Sequence, residues 1–167
     1  MRSIYELIWA EKPDHIINLS QQPSYNRTVT TLHLSPVGFK PRPKDDSELK
    51  KIITDILKGV RWLHGHGYVH RDIRWDNIIQ ESNGRSRLID LEQAGKVGRP
   101  GFTLADWPSL DSRGRYRKKM DMQLIASLMR HYQNLLTGNH QAQEFVRNME
   151  DGSLSAETSL EDSWLCS

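Results

Sequence analysis

The sequence predicts a mainly helical α+β fold, and two helical patterns and one hairpin signal carry that prediction. Residues 47–64 and 120–136 place apolar side chains at steps of three and four, the spacing that collects them on one face of a helix. Asn83-Gly84, between two short apolar segments, is typical of a two-residue β-hairpin turn. Segments near the N-terminus that are rich in β-branched residues add further strands.

The first third of the chain predicts a short helix and a hairpin. Residues 3–12 have a helical pattern that ends before Pro13. His15–Leu19 and Thr28–Leu34 read as two strands, joined by a polar turn at residues 21–27. Prolines and a glycine interrupt residues 36–43, so we expect a linker there.

The middle of the chain predicts a long helix followed by short strands. The helix at 47–64 has capping candidates at each of residues 45–47 and can end at Gly65 or Gly67. After it, Tyr68–Val69, Asn77–Gln80 and Arg87–Asp90 read as strands. The turn at residues 83–84 brings the last two together, so Asn77 and Asp90 should lie near one another.

The last third predicts a loop and several helices. Residues 95–114 are rich in Gly, Pro, Ser and Asp and read as a long loop, which is usually functional or mobile. Residues 120–136 form the second striped helix. Shorter helices are predicted at Gln143–Met149 and near Trp164.

Composition narrows the functional classes. The 167 residues carry a formal net charge of +2, which indicates neither a nucleic-acid binder nor a membrane-surface protein. Cys166 is the only cysteine, and no run approaches the roughly 20 apolar residues that span a bilayer. Residues 1–10 contain a glutamate within their apolar run, which argues against a secretory signal. We expect an intracellular protein, in the cytoplasm or nucleus.

The most informative segment is His70-Arg71-Asp72 with Asn77 five residues later and Asp90 beyond it. In the pattern H-R-D-x-x-x-x-N, the aspartate accepts the proton of an incoming hydroxyl and the asparagine holds magnesium. A second aspartate holds metal against the nucleotide phosphates. Carboxylate and amide oxygens are the hard ligands that magnesium prefers. The spacing therefore predicts phosphoryl transfer.

Each of these residues also has a structural interpretation. Asp72 could be a turn residue and Asn77 could cap the following turn. Asp90 could form an ion pair with Arg71 or Arg87 that serves the fold alone. His70 in this motif is more often a packed residue than a chemical one, so we do not assign it to catalysis.

With these elements in order, the chain resembles a eukaryotic-type protein kinase domain, from the end of its N-lobe through a shortened C-lobe. The long helix runs straight into residues 67–72, and Asn77 to Asp90 is also the family's spacing. Asp121 resembles the buried aspartate that binds the backbone of the catalytic loop. Residues 155–160 with Trp164 resemble the family's closing segment. The sequences at 72–75 and 88–92 are further similar to divergent kinases of fungi and oomycetes, including kinase-type Crinkler effectors.

The resemblance implies a site that uses ATP and Mg²⁺ and phosphorylates a protein on serine or threonine. Asp72, Arg74 and Asn77 would be catalytic, with Arg74 replacing the usual lysine, and Asn77 and Asp90 would bind magnesium. Adenine would lie against a hinge at Leu34-Ser35-Pro36-Val37-Gly38, with Leu34, Pro36 and Val37 as its contacts. The implied division is residues 1–34 as the remaining N-lobe, 35–45 as the hinge and 46–167 as the C-lobe.

The chain also departs from the family pattern. Asp90-Leu91-Glu92 stands where Asp-Phe-Gly is usual, and Trp107-Pro108-Ser109 stands where Ala-Pro-Glu is expected. No glycine-rich loop and no Val-Ala-Ile-Lys-like strand precedes residue 15. Glu6 is the one candidate for the ion-pairing glutamate of the N-lobe helix, with no lysine to pair with. We expect an N-terminally incomplete domain.

Three functions follow from these features. The first is a protein kinase, and the second is a pseudokinase or kinase-derived binding module, because the nucleotide-clamping lysine is missing. The third is a small-molecule kinase of the aminoglycoside or choline type, because Glu92 fits the ending of that family's motif. Arg71 and the closing segment through Trp164 favour the first.

Overall fold

The N-terminal part consists of one helix and two nested hairpins. The structure, a computed structural model, describes residues 2–100 and 108–167. Helix α1 (Arg2–Glu11) buries Ile4, Tyr5 and Ile8. Strand β1 (Asn18–Leu19) pairs antiparallel with β4 (Leu34–Ser35), and β2 (Ser24–Tyr25) pairs with β3 (Thr30–Thr31) between them. The predicted hairpin is confirmed.

Two details of that hairpin were predicted wrongly. Residues 21–27 are not one turn, because β2 lies inside them, and the predicted strand Thr28–Leu34 is divided into β3 and the start of β4. The reason is a tight turn at Asn26. Its side-chain oxygen accepts hydrogen bonds from the backbone N–H of Thr28 at 3.0 Å and of Val29 at 2.6 Å.

Helix α2 (Asp46–Gly65) runs through the centre of the core. Asp45 is its N-cap, and its side chain accepts the Glu48 N–H at 2.8 Å, which settles the choice among residues 45–47. The apolar stripe predicted from the sequence is buried in full: Leu49, Ile52, Ile53, Ile56, Leu57, Val60 and Leu63.

The short strands after α2 form the frame of the polar loop. Strand β5 (Tyr68–Val69) pairs with β8 (Gly95–Lys96), and β6 (Ile78–Gln80) pairs with β7 (Ser86–Leu88). A 3₁₀ turn at Trp75–Asn77 precedes β6. The predicted return strand Arg87–Asp90 is shifted, because Asp90 has a φ of 57° and so ends the extended conformation.

The C-terminal part is helical. It comprises α3 (Lys118–His131), a 3₁₀ turn at Gln133–Leu136, α4 (His140–Asp151), α5 (Ala156–Ser159) and α6 (Ser163–Cys166). The helix predicted at 120–136 therefore ends five residues early, and the 3₁₀ turn follows it. The predicted loop at 95–114 contains β8 at its start, and part of it lies outside the described residues.

One hydrophobic core joins these parts. It extends from α1 through α2 to Phe145 and Trp164, whose rings lie 5.1 Å apart between centroids. The α+β, mainly helical class predicted from the sequence is confirmed, as a kinase-like C-lobe with a small N-terminal sheet. Among the helices that the structure describes, none combines the length and the apolar character needed to cross a membrane.

The burial of the apolar stripe of α2 predicts which substitutions in this helix destabilise the fold. Ile53→Ala should lower the free energy of unfolding by about 2–5 kcal/mol, because it leaves a cavity at a fully buried site. Lys51→Ala, on the exposed face of the same helix, should change it by less than about 0.5 kcal/mol. Urea titration of both variants measures the difference, and equal losses would contradict this placement of α2.

Candidate active site

Asp121, in the first turn of α3, holds the polar loop by its backbone. Its side chain is fully buried. One carboxylate oxygen accepts the backbone N–H of His70 at 2.9 Å and lies 2.9 Å from His64 Nε2. The other accepts the Arg71 N–H at 3.0 Å and the Tyr116 hydroxyl at 3.3 Å. The role predicted for Asp121 is confirmed.

The charge of Asp121 is stabilised by these donors. Burial alone would raise the pKa of Asp121, but the hydrogen bond and charge of His64 and the Arg71 N–H outweigh burial and hold that pKa below its ordinary value. Burial, and then the negative charge of Asp121, raise the pKa of Tyr116, so its hydroxyl stays protonated and donates. The carboxylate is therefore ionised and saturated with donors.

His70 is a structural residue of the loop. Its ring is fully buried, and its Nε2 lies 3.1 Å from the Ile89 carbonyl while its Nδ1 accepts the Asp72 N–H at 3.3 Å. A single neutral tautomer satisfies both contacts. Burial lowers the pKa of His70, which favours that neutral form. The structure thus agrees with leaving His70 out of the chemistry.

Asp72 and Asn77 are brought together at the centre of the site. The Asn77 side-chain amide donates to the Asp72 carbonyl at 2.9 Å and to its carboxylate at 2.7 Å. Both residues are buried, with exposed fractions of 7% and 4%. Two acceptors for the same amide nitrogen fix its orientation, so the Asn77 side-chain oxygen points elsewhere. The two side chains are thereby fixed relative to one another.

Arg74 lies beside the Asp72 carboxylate. Its Nε is 3.3 Å from Asp72 Oδ2, and 59% of its side chain is exposed. The Asp72–Arg74 pair leaves the other carboxylate oxygen of Asp72 with no hydrogen bond to any described residue. That oxygen is therefore the hydrogen-bond acceptor that this pair leaves over, with the guanidinium nearby.

Asp90 is held next to Asn77 by the strand pair. The backbone N–H of Ile89 donates to the Asn77 carbonyl at 2.9 Å, and Asp90 follows with its φ of 57°. Non-glycine residues in this conformation cluster at functional sites. Arg87 does not pair with Asp90, since its Nε donates to Glu81 at 2.7 Å. Asp90 forms no ion pair with any residue that the structure describes.

Tyr5 of α1 packs behind the Asp90 segment. It is 3% exposed, in the same core as the fully buried Leu91. Burial, followed by the charges of Asp90 and Glu92, raises the pKa of Tyr5 to about 12. Glu6, the candidate for the ion-pairing glutamate, is exposed instead.

The predicted hinge is joined to the strand that follows Asn77. Phe39 and Gln80 exchange two backbone hydrogen bonds, at 3.0 and 2.8 Å. Gly38 is required there, because a Cβ would lie 2.7 Å from the Gln80 carbonyl oxygen. Leu34 and Val37 are 49% and 90% exposed, while Pro36 is half-buried.

The side chains present fit magnesium and a nucleotide. Asn77 uses its amide nitrogen on Asp72 and keeps its oxygen available, and Asp90 accepts only a 3.4 Å hydrogen bond, from the Glu92 N–H, among the described residues. Magnesium needs only one or two such protein ligands when phosphates and water supply the rest. The exposed apolar side chains of Leu34 and Val37 suit a flat base.

Two residues of this network were not predicted from the sequence. The sequence pattern places His64 only at the end of helix α2 and assigns Tyr116 no role, yet both side chains contact Asp121. Tyr116 also lies under the Arg71 guanidinium, 5.7 Å from the ring centroid. The one sequence feature that could have drawn attention to Tyr116 is that it is the single aromatic residue in a basic segment. Trp107 lies outside the described residues, so the Trp107-Pro108-Ser109 comparison stays a prediction.

Comparison with known proteins agrees with the fold and this geometry. The family described as "Protein kinase domain" matches residues 17–106, more than half of the chain. The chain belongs to this family, of the eukaryotic type.

Individual relatives are more distant. The chain is 27% identical over 118 residues to a probable cyclin-dependent kinase 10 of Dictyostelium discoideum, covering 64% of this chain and 32% of that protein. It is 34% identical over 67 residues to the serine/threonine-protein kinase PLK4 of Nematostella vectensis, covering 38% and 7%. The chain thus spans less than a third of the length of these relatives. The likeness to fungal and oomycete kinases stays a prediction.

The lowered pKa of Asp121 predicts how the stability of the fold depends on pH. Its pKa is lower in the folded chain than the roughly 3.9 of an unfolded aspartate, so its ionisation stabilises the fold above about pH 4. That contribution is lost as the pH falls through the lower, folded pKa. Asp121→Asn should therefore lower the free energy of unfolding by about 3 kcal/mol at neutral pH and weaken its dependence on acid pH.

Urea titration between acid and neutral pH measures both effects. Asp14→Asn, at an exposed pair with Arg85, is the control and should cost no more than about 1 kcal/mol. If Asp121→Asn lost no more than this control, Asp121 would not have the role described.

Proposed function

We propose that the chain is part of an ATP- and magnesium-dependent protein kinase that phosphorylates serine or threonine. The observation that carries the proposal is the Asp72–Asn77 pair in a loop whose backbone is fixed by Asp121. The matching family and the names of its relatives support protein kinase activity in general, without specifying the nucleotide, the metal or the substrate.

In the proposed reaction, Asp72 acts on the acceptor hydroxyl. The free oxygen of its carboxylate orients that hydroxyl and takes its proton late, while the hydroxyl oxygen bonds to the terminal phosphorus of ATP and the bond from phosphorus to the bridging oxygen breaks. Bound magnesium–ATP supplies the phosphoryl group. Asn77 and Asp90 hold the metal, and the Arg74 guanidinium stabilises negative charge on the transferring group.

The division of the chain is part of the same proposal. Residues 1–34 would contribute to the N-lobe, 35–45 the hinge and 46–167 the C-lobe. The hinge contacts would be Leu34, Pro36 and Val37, supported by the exposed apolar surface there. The proposed location is the cytoplasm or nucleus.

A binding module without catalysis is the second candidate. The exposed position of Glu6 and the Asp90-Leu91-Glu92 sequence favour it, because both depart from the nucleotide-clamping arrangement of the family. The two candidates differ in whether magnesium–ATP binds and whether phosphate is transferred.

Asp72→Asn should reduce the rate of phosphate transfer by about 10²- to 10⁴-fold, because an amide cannot accept the proton. ATP affinity should change little. The measurement is transfer of labelled phosphate to a mixed serine/threonine protein substrate. Asp76→Asn is the control, since Asp76 lies in the same loop but is exposed and pairs with Lys40. Equal activity of the two variants would rule out the role of Asp72.

Asp90→Asn should abolish magnesium-dependent nucleotide binding together with transfer, because it removes one of two protein ligands. Titration calorimetry with ATP, with and without magnesium, measures this directly. A wild-type protein that binds no magnesium–ATP and transfers no phosphate would favour the binding-module candidate.

A further inference from the structure

Positive charge is concentrated in one segment of the chain. Residues 111–119 contain five basic residues and one acidic residue, whereas the whole chain has a formal net charge of +2. Isolated surface charges are usually solvated and need no explanation. A local excess larger than the charge of the entire chain is different, because it creates a positive potential over one face.

The only acidic residue of this segment is already surrounded by donors. Asp111 accepts Arg117 Nε at 2.7 Å and two backbone N–H groups, and Arg115 Nε lies 3.6 Å away. Burial opposes ionisation, but the Arg115 N–H, Arg117 and the Arg113 N–H outweigh it and lower the pKa of Asp111 to about 2. Arg115 Nε is buried and has no hydrogen-bond partner among the residues that the structure describes.

The other cations have no acidic partner. Arg99, Arg113, Lys118 and Lys119 are exposed, and within the described parts of the chain none of them forms an ion pair. Together with Arg115 and Arg117 they form what we call the basic surface. Its charge exceeds what the single carboxylate of Asp111 can balance.

The basic surface is attached to the catalytic loop. Tyr116, in its middle, is fully buried and donates to Asp121, the same carboxylate that holds His70 and Arg71. The Gly98 N–H donates to the Tyr116 carbonyl at 2.9 Å, and Pro100 bridges to Arg115, which brings Arg99 alongside. The backbone that carries these cations is therefore joined, through Tyr116, to the carboxylate that holds the loop containing Asp72.

The stability of the fold accounts for only part of these charges. Arg117, Lys118 and Lys119 occupy the start of α3, where the helix dipole disfavours cations. The other long helices after α1 begin differently, α2 with Asp45 and α4 with Asn139 as caps that accept a backbone N–H. Asp121 in the same turn and the ion pair between Arg117 and Asp111 offset part of this cost, whereas Lys118 has no acidic partner among the described residues. A charge that the fold leaves unbalanced is typical of a functional surface.

We infer that the basic surface binds an acidic peptide segment of the protein substrate, with carboxylates next to the serine or threonine that is phosphorylated. Arginine forks pair with carboxylates in two-point geometry, and an adjacent positive field raises the association rate of an acidic partner. This inference rests on the proposed function, since it names the substrate class of that site.

The test measures peptide binding and phosphate transfer separately, on the full chain. The probes are two fluorescent peptides with one central serine, flanked by glutamates in one and by glutamines in the other. The glutamate peptide should bind more tightly by fluorescence anisotropy, and the difference should shrink as salt rises toward about 1 M, where screening acts over roughly 3 Å. R113Q/K118Q should weaken its binding roughly five- to tenfold.

A matched variant controls for net charge. K51Q/R147Q also removes two exposed positive charges, on α2 and α4, and should leave the preference for the glutamate peptide unchanged. Equal binding of the two peptides, or equal effects of the two double variants, would overturn the inference. Tighter binding of single-stranded RNA than of the glutamate peptide, lost in R113Q/K118Q, would also overturn it in favour of a nucleic-acid surface. Selective peptide binding without phosphate transfer would support the inference and contradict the proposed function.

Discussion

The buried carboxylate of Asp121 is the interaction on which the rest of the site depends. It joins the start of α3 to the end of α2 through His64, and to the catalytic loop through two backbone N–H groups. A buried carboxylate is stable only when donors replace the water it has lost, and here four of them do. Two of the four contacts, from the N–H groups of His70 and Arg71, tie the loop to the start of α3.

This constraint explains how a strained loop can persist. Arg71 has a φ of 74° and Asp90 a φ of 57°, conformations that cost on the order of 1–3 kcal/mol each for ordinary residues. Asp121 holds the Arg71 N–H, and the hydrogen bond from Ile89 to the Asn77 carbonyl holds the residue before Asp90. The Asp72–Asn77 pair therefore lies between Arg71, whose backbone is held by Asp121, and Asp90, whose preceding residue is held by Asn77. The basic surface is attached to the same carboxylate through Tyr116, so substrate selection and proton transfer would share one support.

Sequence patterns predicted the features that depend on interactions between residues close together in the chain. The stripe of α2 depends on neighbours in sequence, and the structure buries it as predicted. The hairpin signal at residues 83–84 also depends on neighbours, and it does join β6 to β7, but the connection has five residues, 81–85, rather than two. The turn at Asn26 and the end of α3 were predicted wrongly, because a side-chain hydrogen bond decided the first and a 3₁₀ turn that follows the helix decided the second. His64 and Tyr116 owe their place in the site to contacts with Asp121, and His64 is 57 residues away from it. The net charge of +2 likewise concealed the concentration of charge at residues 111–119.

The central claim is that Asp121 fixes the backbone of the catalytic loop, and the amides of His70 and Arg71 report on it directly. Hydrogen exchange of these two amides, followed by NMR in the native state, distinguishes a clamped loop from an open one. The structure predicts that both exchange as slowly as amides in the middle of α2, because both are bonded to a buried carboxylate. Exchange at the rate of an exposed loop, with α2 still protected, would contradict it.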